Sequence, residues 1–320
     1  MKSVRHVVRH TLRWFSAVLA LAESYVVYKL FTQRKRRHEP LTPRQLDQVE
    51  WGSFFFPPDS SSPDPSDPEL RDGTVCVSSW NIQYGRHYER VVEAFKKELS
   101  SDIYLIQEVD RACRRSHFRN VAELLASELS LHFVFAIEFQ ELAQEGSRRP
   151  AVHGQAILSR LPVVRAEVLR FNHQPENWSN HPFQPRRGAR MAVKAEIQLG
   201  QASLIVYNTH LESHGGERGR ARQMEEILAD VRHHQASPVL IAGDLNTRQG
   251  VSSPVIQTAA EHGFSDALSS SAGTRATAGD ARLDWVLVRG LEPVWGKTHA
   301  DVRGSDHRPI STRLRWNPPE

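Results

Sequence analysis

Six short polar motifs recur along the chain between residues 78 and 310. Four of them follow or contain an apolar run typical of a β-strand, and each of those runs ends in Asn, Glu, His or Asp. Buried strands do not end repeatedly in such residues unless their ends converge on something polar. The sequence therefore predicts strands whose tips meet at one site. The motifs are SSWNIQYG (78–85), LIQEVD (105–110), YNTHLESH (207–214), IAGDLNT (241–247), RLDWVLV (282–288) and GSDHRPI (304–310).

The side chains of these motifs suit a metal ion and proton transfer. Carboxylate and amide oxygens are ligands for a hard cation such as Mg²⁺, which takes few protein ligands and keeps several waters. A histidine that titrates near neutrality, such as His307, can take a proton from water. The sequence contains no Walker-type phosphate loop, Ser-His-Asp order or cysteine nucleophile that would favour a different mechanism.

The ordered set of six motifs resembles the endonuclease/exonuclease/phosphatase superfamily, over roughly residues 74–316. That superfamily includes deoxyribonuclease I-like nucleases, abasic-site endonucleases, neutral sphingomyelinases and inositol-polyphosphate 5-phosphatases. The resemblance implies a four-layered α/β sandwich, with two packed, mostly antiparallel sheets flanked by helices and the site at one end. It also implies a Mg²⁺-dependent phosphoesterase, in which Mn²⁺ could substitute. Members act on nucleic acids and on phospholipids, so the resemblance fixes the chemistry better than the substrate.

The resemblance assigns three residues to the metal. Glu108 is expected to be the principal ligand, and Asn81 is expected to assist at the metal or the phosphate. Asp306 corresponds to a carboxylate that binds metal or positions water.

The same resemblance assigns five residues to catalysis. His307 is expected to be the general base, and Asp284 is expected to orient it, as a buried Asp fixes a tautomer in a catalytic triad. Asp244 and Asn246 position the attacking water, the phosphate or a second metal. His210 binds the scissile phosphate or protonates the leaving oxygen.

Four further residues are expected on the substrate side. Asn208 is predicted to contact phosphate or join the same network. Gln155 lies in HGQAILSR, where related enzymes often have Asn, so its contacts are open. The segment PRRGAR (185–190) is the best source of extra positive charge, and Arg187 is the candidate; its neighbours are expected to be solvated. Glu138 resembles the carboxylate that supports the phosphate-binding histidine in deoxyribonuclease I, with a solvated strand-end Glu as the alternative.

Basic charge is concentrated at the N-terminus. Residues 1–38 carry nine Lys or Arg against Glu23, a net charge of +8, which leaves −4 for the remainder. Residues 14–28 are apolar but shorter than the roughly 20 residues that cross a bilayer. This N-terminal segment is compatible with three structures: an interfacial amphipathic helix, a short signal anchor, or a soluble helix packed on the domain. In the first two cases the basic flanks favour an anionic membrane surface, so the protein is expected to be membrane-associated or cytoplasmic.

Residues 39–73 are predicted to be a linker, because residues 57–68 are rich in Pro, Ser and Asp. Residues 74–320 form the predicted catalytic domain, where many strands and few helices indicate two packed sheets. Predicted strands are 74–79, 103–107, 132–137, 155–159, 190–197, 202–208, 238–242, 284–288 and 309–315, and predicted helices are 87–99, 118–129, 217–234 and 253–262.

The charge distribution also bears on the substrate. A catalytic region of net −4 has no global basic excess for gripping a polyphosphate backbone. We therefore expect a phosphodiester in a membrane lipid or lipid-linked head group, with a DNA or RNA phosphodiester as the alternative. A non-catalytic membrane-docking protein is the alternative of another class, and the complete set of motif residues argues against it. We expect a monomer.

Overall fold

The computed structural model describes residues 38–54, 73–181, 183–200, 202–234, 237–269 and 276–316, which form 14 strands and five α-helices. The strands are β1 Val49–Ser53, β2 Thr74–Asn81, β3 Ile103–Arg111, β4 His132–Glu141, β5 Val152–Ser159, β6 Val163–Arg170, β7 Arg186–Gly188, β8 Met191–Leu199, β9 Ala202–His210, β10 Val239–Asp244, β11 Ser265–Asp266, β12 Asp284–Arg289, β13 Glu292–Thr298 and β14 Ile310–Arg315. The helices are α1 Pro43–Leu46, α2 Tyr88–Lys97, α3 Val121–Leu129, α4 Gly216–Val231 and α5 Pro254–Glu261.

The strands form two sheets. The first has the order β1-β4-β5-β3-β2-β14-β13, with β7 paired to β4, and the second has the order β11-β12-β10-β9-β8-β6. All pairs are antiparallel except β2 with β3 and β9 with β10. This arrangement confirms the predicted fold class of two mostly antiparallel sheets with flanking helices.

Three apolar clusters hold the layers together. The first fills the space between the sheets, with Val77 and Leu105 from one sheet and Val206 and Leu240 from the other. The second packs α2 and α3 on the outer face of the first sheet, and the third packs α4 and α5 on the second sheet. Each buried Val or Leu side chain contributes roughly 1.5–3 kcal/mol. The layers therefore run helix, sheet, sheet, helix.

All nine predicted strands and all four predicted helices are present, and β3, β4, β9 and β10 extend two to four residues beyond their predicted ends. The strands β1, β6, β7, β11 and β13 were not predicted. Strands β1, β6, β11 and β13 lie at sheet edges and β7 lies off the main path. Edge strands bury less, so their sequences show a weaker apolar pattern.

The linker prediction for residues 39–73 is wrong at its N-terminal end. Thr42 caps α1 by accepting a hydrogen bond from the Gln45 backbone N–H, and Pro43 occupies the first turn. Strand β1 then pairs with β4, and Phe54 stacks on Phe133 with ring centroids 5.9 Å apart. Backbone pairing, which composition does not reveal, places this segment in the first sheet.

Two sequence predictions fall outside the described residues: the helical arm over residues 1–37 and the Pro-, Ser- and Asp-rich run at 57–68. Among the helices that the structure does describe, none is long and apolar enough to cross a bilayer.

Candidate active site

The predicted catalytic residues converge because strand register brings their positions side by side. Strand β10 ends at Asp244, which pairs with Asp284 at the start of β12 and with His210 at the end of β9. Asn81 ends β2 in the opposite sheet. The site is thus assembled where the two sheets meet at their strand tips.

Asp244 lies at the centre of this group. Its Oδ2 accepts a hydrogen bond from Asn81 Nδ2 at 3.1 Å and lies 3.4 Å from His210 Nε2 and 3.7 Å from His307 Nε2. Its Oδ1 accepts from the backbone N–H of Asn246 at 3.0 Å. One carboxylate therefore links the strand tips of both sheets to two histidines.

Left-handed backbone conformations surround the site. Glu108 has φ +54°, and Asn246 has φ +52°. A bulge in β3 between Ile106 and Val109 frees Glu108 from the ladder. Such conformations cost of order 1–3 kcal/mol each and cluster at functional sites. Among the described residues the Glu108 carboxylate has no hydrogen-bond or ion-pair partner, so it is available to a ligand.

Gly243 is required by a close approach of two strands. A Cβ at this position would lie 1.9 Å from the Thr209 carbonyl oxygen, and the glycine has φ +142°. Only glycine lets β10 run this close to β9 just before Asp244.

His307 and Asp284 form a buried acid–base pair. His307 Nδ1 lies 2.8 Å from Asp284 Oδ2, while Trp80 Nε1 donates to the His307 carbonyl oxygen at 2.9 Å. The Asp284 backbone N–H donates to Thr277 Oγ1 at 3.1 Å. Nδ1 is thus engaged by the carboxylate, and Nε2 is left facing Asp244.

The carboxylates around His307 favour its protonated form. Burial lowers the pKa of His307, but the Asp284 carboxylate, aided by Asp244 and Asp306, raises its pKa to about 10. Burial and the neighbouring Asp284 raise the pKa of Asp244, an effect that His307 only partly offsets. Burial is thus the main reason for the raised pKa of Asp244, and His307 is the strongest charge acting on its carboxylate.

His210 has the opposite character. Burial, and then the charge of Arg190, hold the pKa of His210 well below its usual value, so the ring is neutral at pH 7. Its Nδ1 is buried and has no partner among the described residues. A neutral imidazole can donate a hydrogen bond to a phosphate oxygen without carrying charge.

The side chains present fit a hard cation. One ligand atom from each of Asp244, Asp284 and His307 lies within 4.8 Å of the others. Asp284 Oδ1 is buried without a partner in the described part of the chain. Glu108 follows Gln107 on β3, and Gln107 is the register partner of Asn81 on β2. Asp306 is exposed and accepts from Ser305 Oγ at 3.2 Å. A cation among these oxygens would favour the ionised form of the buried Asp244 carboxylate.

Asn208 and Gln155 make hydrogen bonds inside the protein, and their substrate roles stay predictions. The Asn208 amide donates to the carbonyl oxygens of Ile106 and Ala156 at 3.0 and 2.8 Å and accepts from Gln107 at 2.6 Å. Gln155 is fully buried and donates to the Met191 carbonyl oxygen at 3.2 Å. Both N–H groups of the Asn208 amide are thus used inside the protein, whereas Gln155 Oε1 is buried and has no partner among the described residues.

Glu138 differs from its prediction. It is fully buried, and its Oε1 accepts from Arg190 Nη1 at 2.9 Å. No contact with His210 is found among the described residues, so neither the supporting role nor the solvated alternative holds. Arg186 and Arg190 are buried rather than solvated. Arg187 is half-buried on β7, and its role as a phosphate contact stays a prediction.

The sequence profile of the Endonuclease/Exonuclease/phosphatase family matches residues 78–307. The chain belongs to this family. No curated protein matched the sequence. An endonuclease/exonuclease/phosphatase from Beutenbergia cavernae DSM 12333 shares 20% identity, covers 76% of this chain and 72% of its own, and has a TM-score of 0.58.

Two other solved structures share the fold. The human Nocturnin catalytic domain with bound sulfate shares 17% identity over 77% of this chain and 95% of its own, with a TM-score of 0.59. Truncated Caenorhabditis elegans TDP2 shares 22% identity over 76% of this chain and 97% of its own, with a TM-score of 0.51. At these identities the likeness establishes the endonuclease/exonuclease/phosphatase fold alone.

Sequence reasoning did not single out Tyr84 and Trp178, two aromatic residues that contact arginines near the predicted site. Tyr84 has φ +68°, its ring lies under the Arg115 guanidinium at 3.5 Å, and burial together with Glu108 raises its pKa to about 12. Trp178 Nε1 donates to Glu212 Oε2 at 3.0 Å. Tyr84 could have been found, since it lies in the motif WNIQYG, but Trp178 lies in a loop without a motif.

Proposed function

We propose that this protein is a metal-dependent phosphodiesterase in which His307 activates water for in-line attack on phosphorus. The observation that carries the proposal is the buried His307–Asp284 pair, with Nε2 of His307 directed at Asp244. Asp284 fixes the tautomer by accepting from Nδ1, which leaves Nε2 to take a proton from water. No covalent enzyme intermediate is needed.

The other residues position the reacting groups. Asp244 and Asn246 orient the attacking water or the phosphate from the end of β10. His210, held neutral by burial and by Arg190, donates a hydrogen bond to a phosphate oxygen. Its depressed pKa favours this role over protonation of the leaving oxygen, because a neutral imidazole is a weak acid.

We further propose that Glu108, Asn81 and Asp306 hold the cation, with Asp244 alongside, and that the ion is Mg²⁺ or Mn²⁺. Bound there, the ion would polarise a phosphoryl oxygen, stabilise developing charge and lower the pKa of His307. The partnerless carboxylate of Glu108 and the raised pKa of Asp244 support this assignment.

For the substrate we propose a lipid or lipid-linked head group. The charge of +8 on residues 1–38 supports a membrane surface. Phe183 adds to this: it is 79% exposed and lies in the segment that leads to Arg186. A nucleic acid is the second candidate, favoured by the buried Arg186 and Arg190, whose charges reach His210.

The test compares turnover of bis(4-nitrophenyl) phosphate, mixed phospholipid vesicles and plasmid DNA by full-length protein in Mg²⁺. We expect hydrolysis of the generic diester, and loss of at least about a hundredfold in kcat for His307→Ala, the scale of general acid–base assistance. The control is Asp301→Asn, which removes an exposed carboxylate between β13 and β14 and should retain wild-type rates.

Faster turnover of DNA than of vesicles would transfer the proposal to the second candidate. Vesicle binding without hydrolysis of any diester would point instead to a non-catalytic docking protein.

A further inference from the structure

Arg186 packs against two aromatic rings that also contact each other. Its guanidinium carbon lies 4.0 Å from the Trp178 ring centroid and 4.5 Å from that of Phe139. The residue is 5% exposed. The two ring centroids are 6.0 Å apart, so the rings pack against the guanidinium from adjacent sides and do not enclose both of its faces. These contacts restrict the guanidinium and leave its N–H donors at the edge of the group.

Those edge donors are poorly satisfied. Nη2 donates to Gln184 Oε1 at 3.0 Å, Nη1 lies 3.9 Å from Glu141 Oε1, and the buried Nε has no partner among the described residues. The buried Arg115 and Arg190 differ, because each has a carboxylate oxygen at 2.8 or 2.9 Å. Arg186 is therefore a desolvated cation whose nearest carboxylate oxygen is 3.9 Å away and is shared with Arg115, an arrangement that a closer anion would improve.

Gln184 occupies the position that such an anion would take. Its Oε1 accepts from Arg186, and its Nε2 lies 3.5 Å from the Tyr84 hydroxyl. Gln184 is half-buried and follows the exposed Phe183, so its side chain can swing away. A neutral amide oxygen is a weaker partner for guanidinium than an oxyanion.

The position of this group relates it to catalysis. Tyr84 lies three residues after Asn81, in the turn Gln83–Gly85 that follows β2. Burial is the main cause of the low pKa of His210 and of the raised pKa of Tyr84, and the charges of Arg186 and Glu108 add to these two shifts respectively. The group thus borders the metal-binding side and the phosphate-binding side of the site.

We propose that Arg186 and Tyr84 form a subsite for a second, non-reacting anionic group of the substrate, and that Gln184 Oε1 holds this place until the anion displaces it. The proposal rests on the proposed phosphodiesterase function. Its chemistry is that of a phosphomonoester: the fork of Arg186 can donate to two phosphate oxygens at once, and the Tyr84 hydroxyl can donate to a third.

The first test measures binding of inorganic phosphate to metal-free protein by equilibrium dialysis, which needs no turnover. Arg186→Gln should weaken binding at least tenfold, and Tyr84→Phe should weaken it less. Gln184→Ala should tighten binding, because it removes the competing oxygen. Arg165→Gln, whose side chain is 71% exposed on β6, is the matched control and should bind as wild type does.

The binding results can also overturn the proposal. Unchanged affinity in Arg186→Gln, with its fold verified by circular dichroism, would do so. Loss of binding in Arg187→Gln but not in Arg186→Gln would assign the anion to the neighbouring arginine and refute the subsite. Weaker binding in Gln184→Ala would show that Gln184 belongs to the binding group and does not hold its place.

The second test uses substrate pairs that differ by one phosphomonoester. These are glycerophosphoinositol with and without a 4-phosphate, and thymidylyl-thymidine with and without a 5′-phosphate. In one pair or the other, wild type should prefer the phosphorylated member at least tenfold in kcat/KM, and Arg186→Gln should lose that preference. The pair that responds identifies a lipid or a nucleotide source.

Equal turnover within both pairs by wild type would refute the subsite while leaving the phosphodiesterase intact. If no diester is hydrolysed, the proposed function fails instead, and the phosphate-binding measurement alone decides the subsite.

Discussion

Replacing Asp284 with Asn should move the pH dependence of catalysis to lower pH. Asp284 Oδ2 lies 2.8 Å from His307 Nδ1 in a buried setting, and its charge raises the pKa of His307. An opposite charge at this range shifts a pKa by about one to three units, or about 1.4–4 kcal/mol. Asn conserves the shape of the side chain but removes the charge, so the pKa of His307 should fall by about that range.

The pH profile of kcat/KM should shift to lower pH because His307 acts as the base. Only neutral His307 accepts a proton, so kcat/KM rises with pH as the ring deprotonates. A lower pKa in Asp284→Asn moves this rise to more acidic pH. The plateau rate should also drop, by roughly ten- to a hundredfold, because Asn can hold either imidazole tautomer and a weaker base removes the proton less well.

The assay is a profile of kcat/KM for bis(4-nitrophenyl) phosphate between pH 5 and pH 10 at saturating Mg²⁺, with Asp301→Asn as the control. Asp301 is exposed, and its loss should leave the midpoint in place. If the low-pH rise of kcat/KM stays fixed or moves to higher pH in Asp284→Asn, the electrostatic account of the His307–Asp284 pair is refuted. A wild-type plateau rate would remove Asp284 from orienting the base.

Three further predictions follow from the same structure. EDTA should abolish hydrolysis and Mg²⁺ should restore it; activity in chelator would exclude the metal mechanism. Glu108→Gln should weaken metal binding, measured by calorimetry, without lowering the melting temperature. Deletion of residues 1–37 should leave a folded phosphodiesterase that no longer sediments with anionic liposomes. Binding of the full-length protein to the liposomes should weaken at high salt. Equal sedimentation of both proteins would contradict a role for the arm at membranes. Burial lowers the pKa of His299 to about 4, so on acidification the unfolded state binds the proton first. The free energy of unfolding should therefore fall as the pH drops from about 6.5 to 4. Urea unfolding of His299→Gln should show a smaller fall over this pH range, and an equal fall would count against this assignment.

The convergence of the candidate site residues could be predicted from sequence because their motifs combine a buried strand with a polar tip. Asp244 follows the apolar run of β10, and Asp284 precedes that of β12, so both are visible without a structure. The predicted central strands were correct for the same reason: burial on both faces gives continuous apolar runs.

The partners of the substrate-side residues could not be predicted in this way. That Arg190 pairs with Glu138, 52 positions away, depends on how β4 and the segment before β8 meet. The place of β1 likewise depends on hydrogen bonds to the β4 backbone, which leave little trace in composition. The N-terminal boundary of the folded domain was therefore misplaced, and truncation should stop before α1.

The Asn208 amide, buried between Ile106 and Ala156 of the first sheet, belongs to a strand of the second sheet. It therefore bridges the two halves of the sandwich directly beneath the catalytic residues. Since Asn81 and Glu108 come from one half and His210, Asp244 and Asp284 from the other, neither half alone contains a working site. The free energy that holds the sheets together is thus also the free energy that brings the candidate site together, so we expect site and fold to be lost in the same unfolding transition.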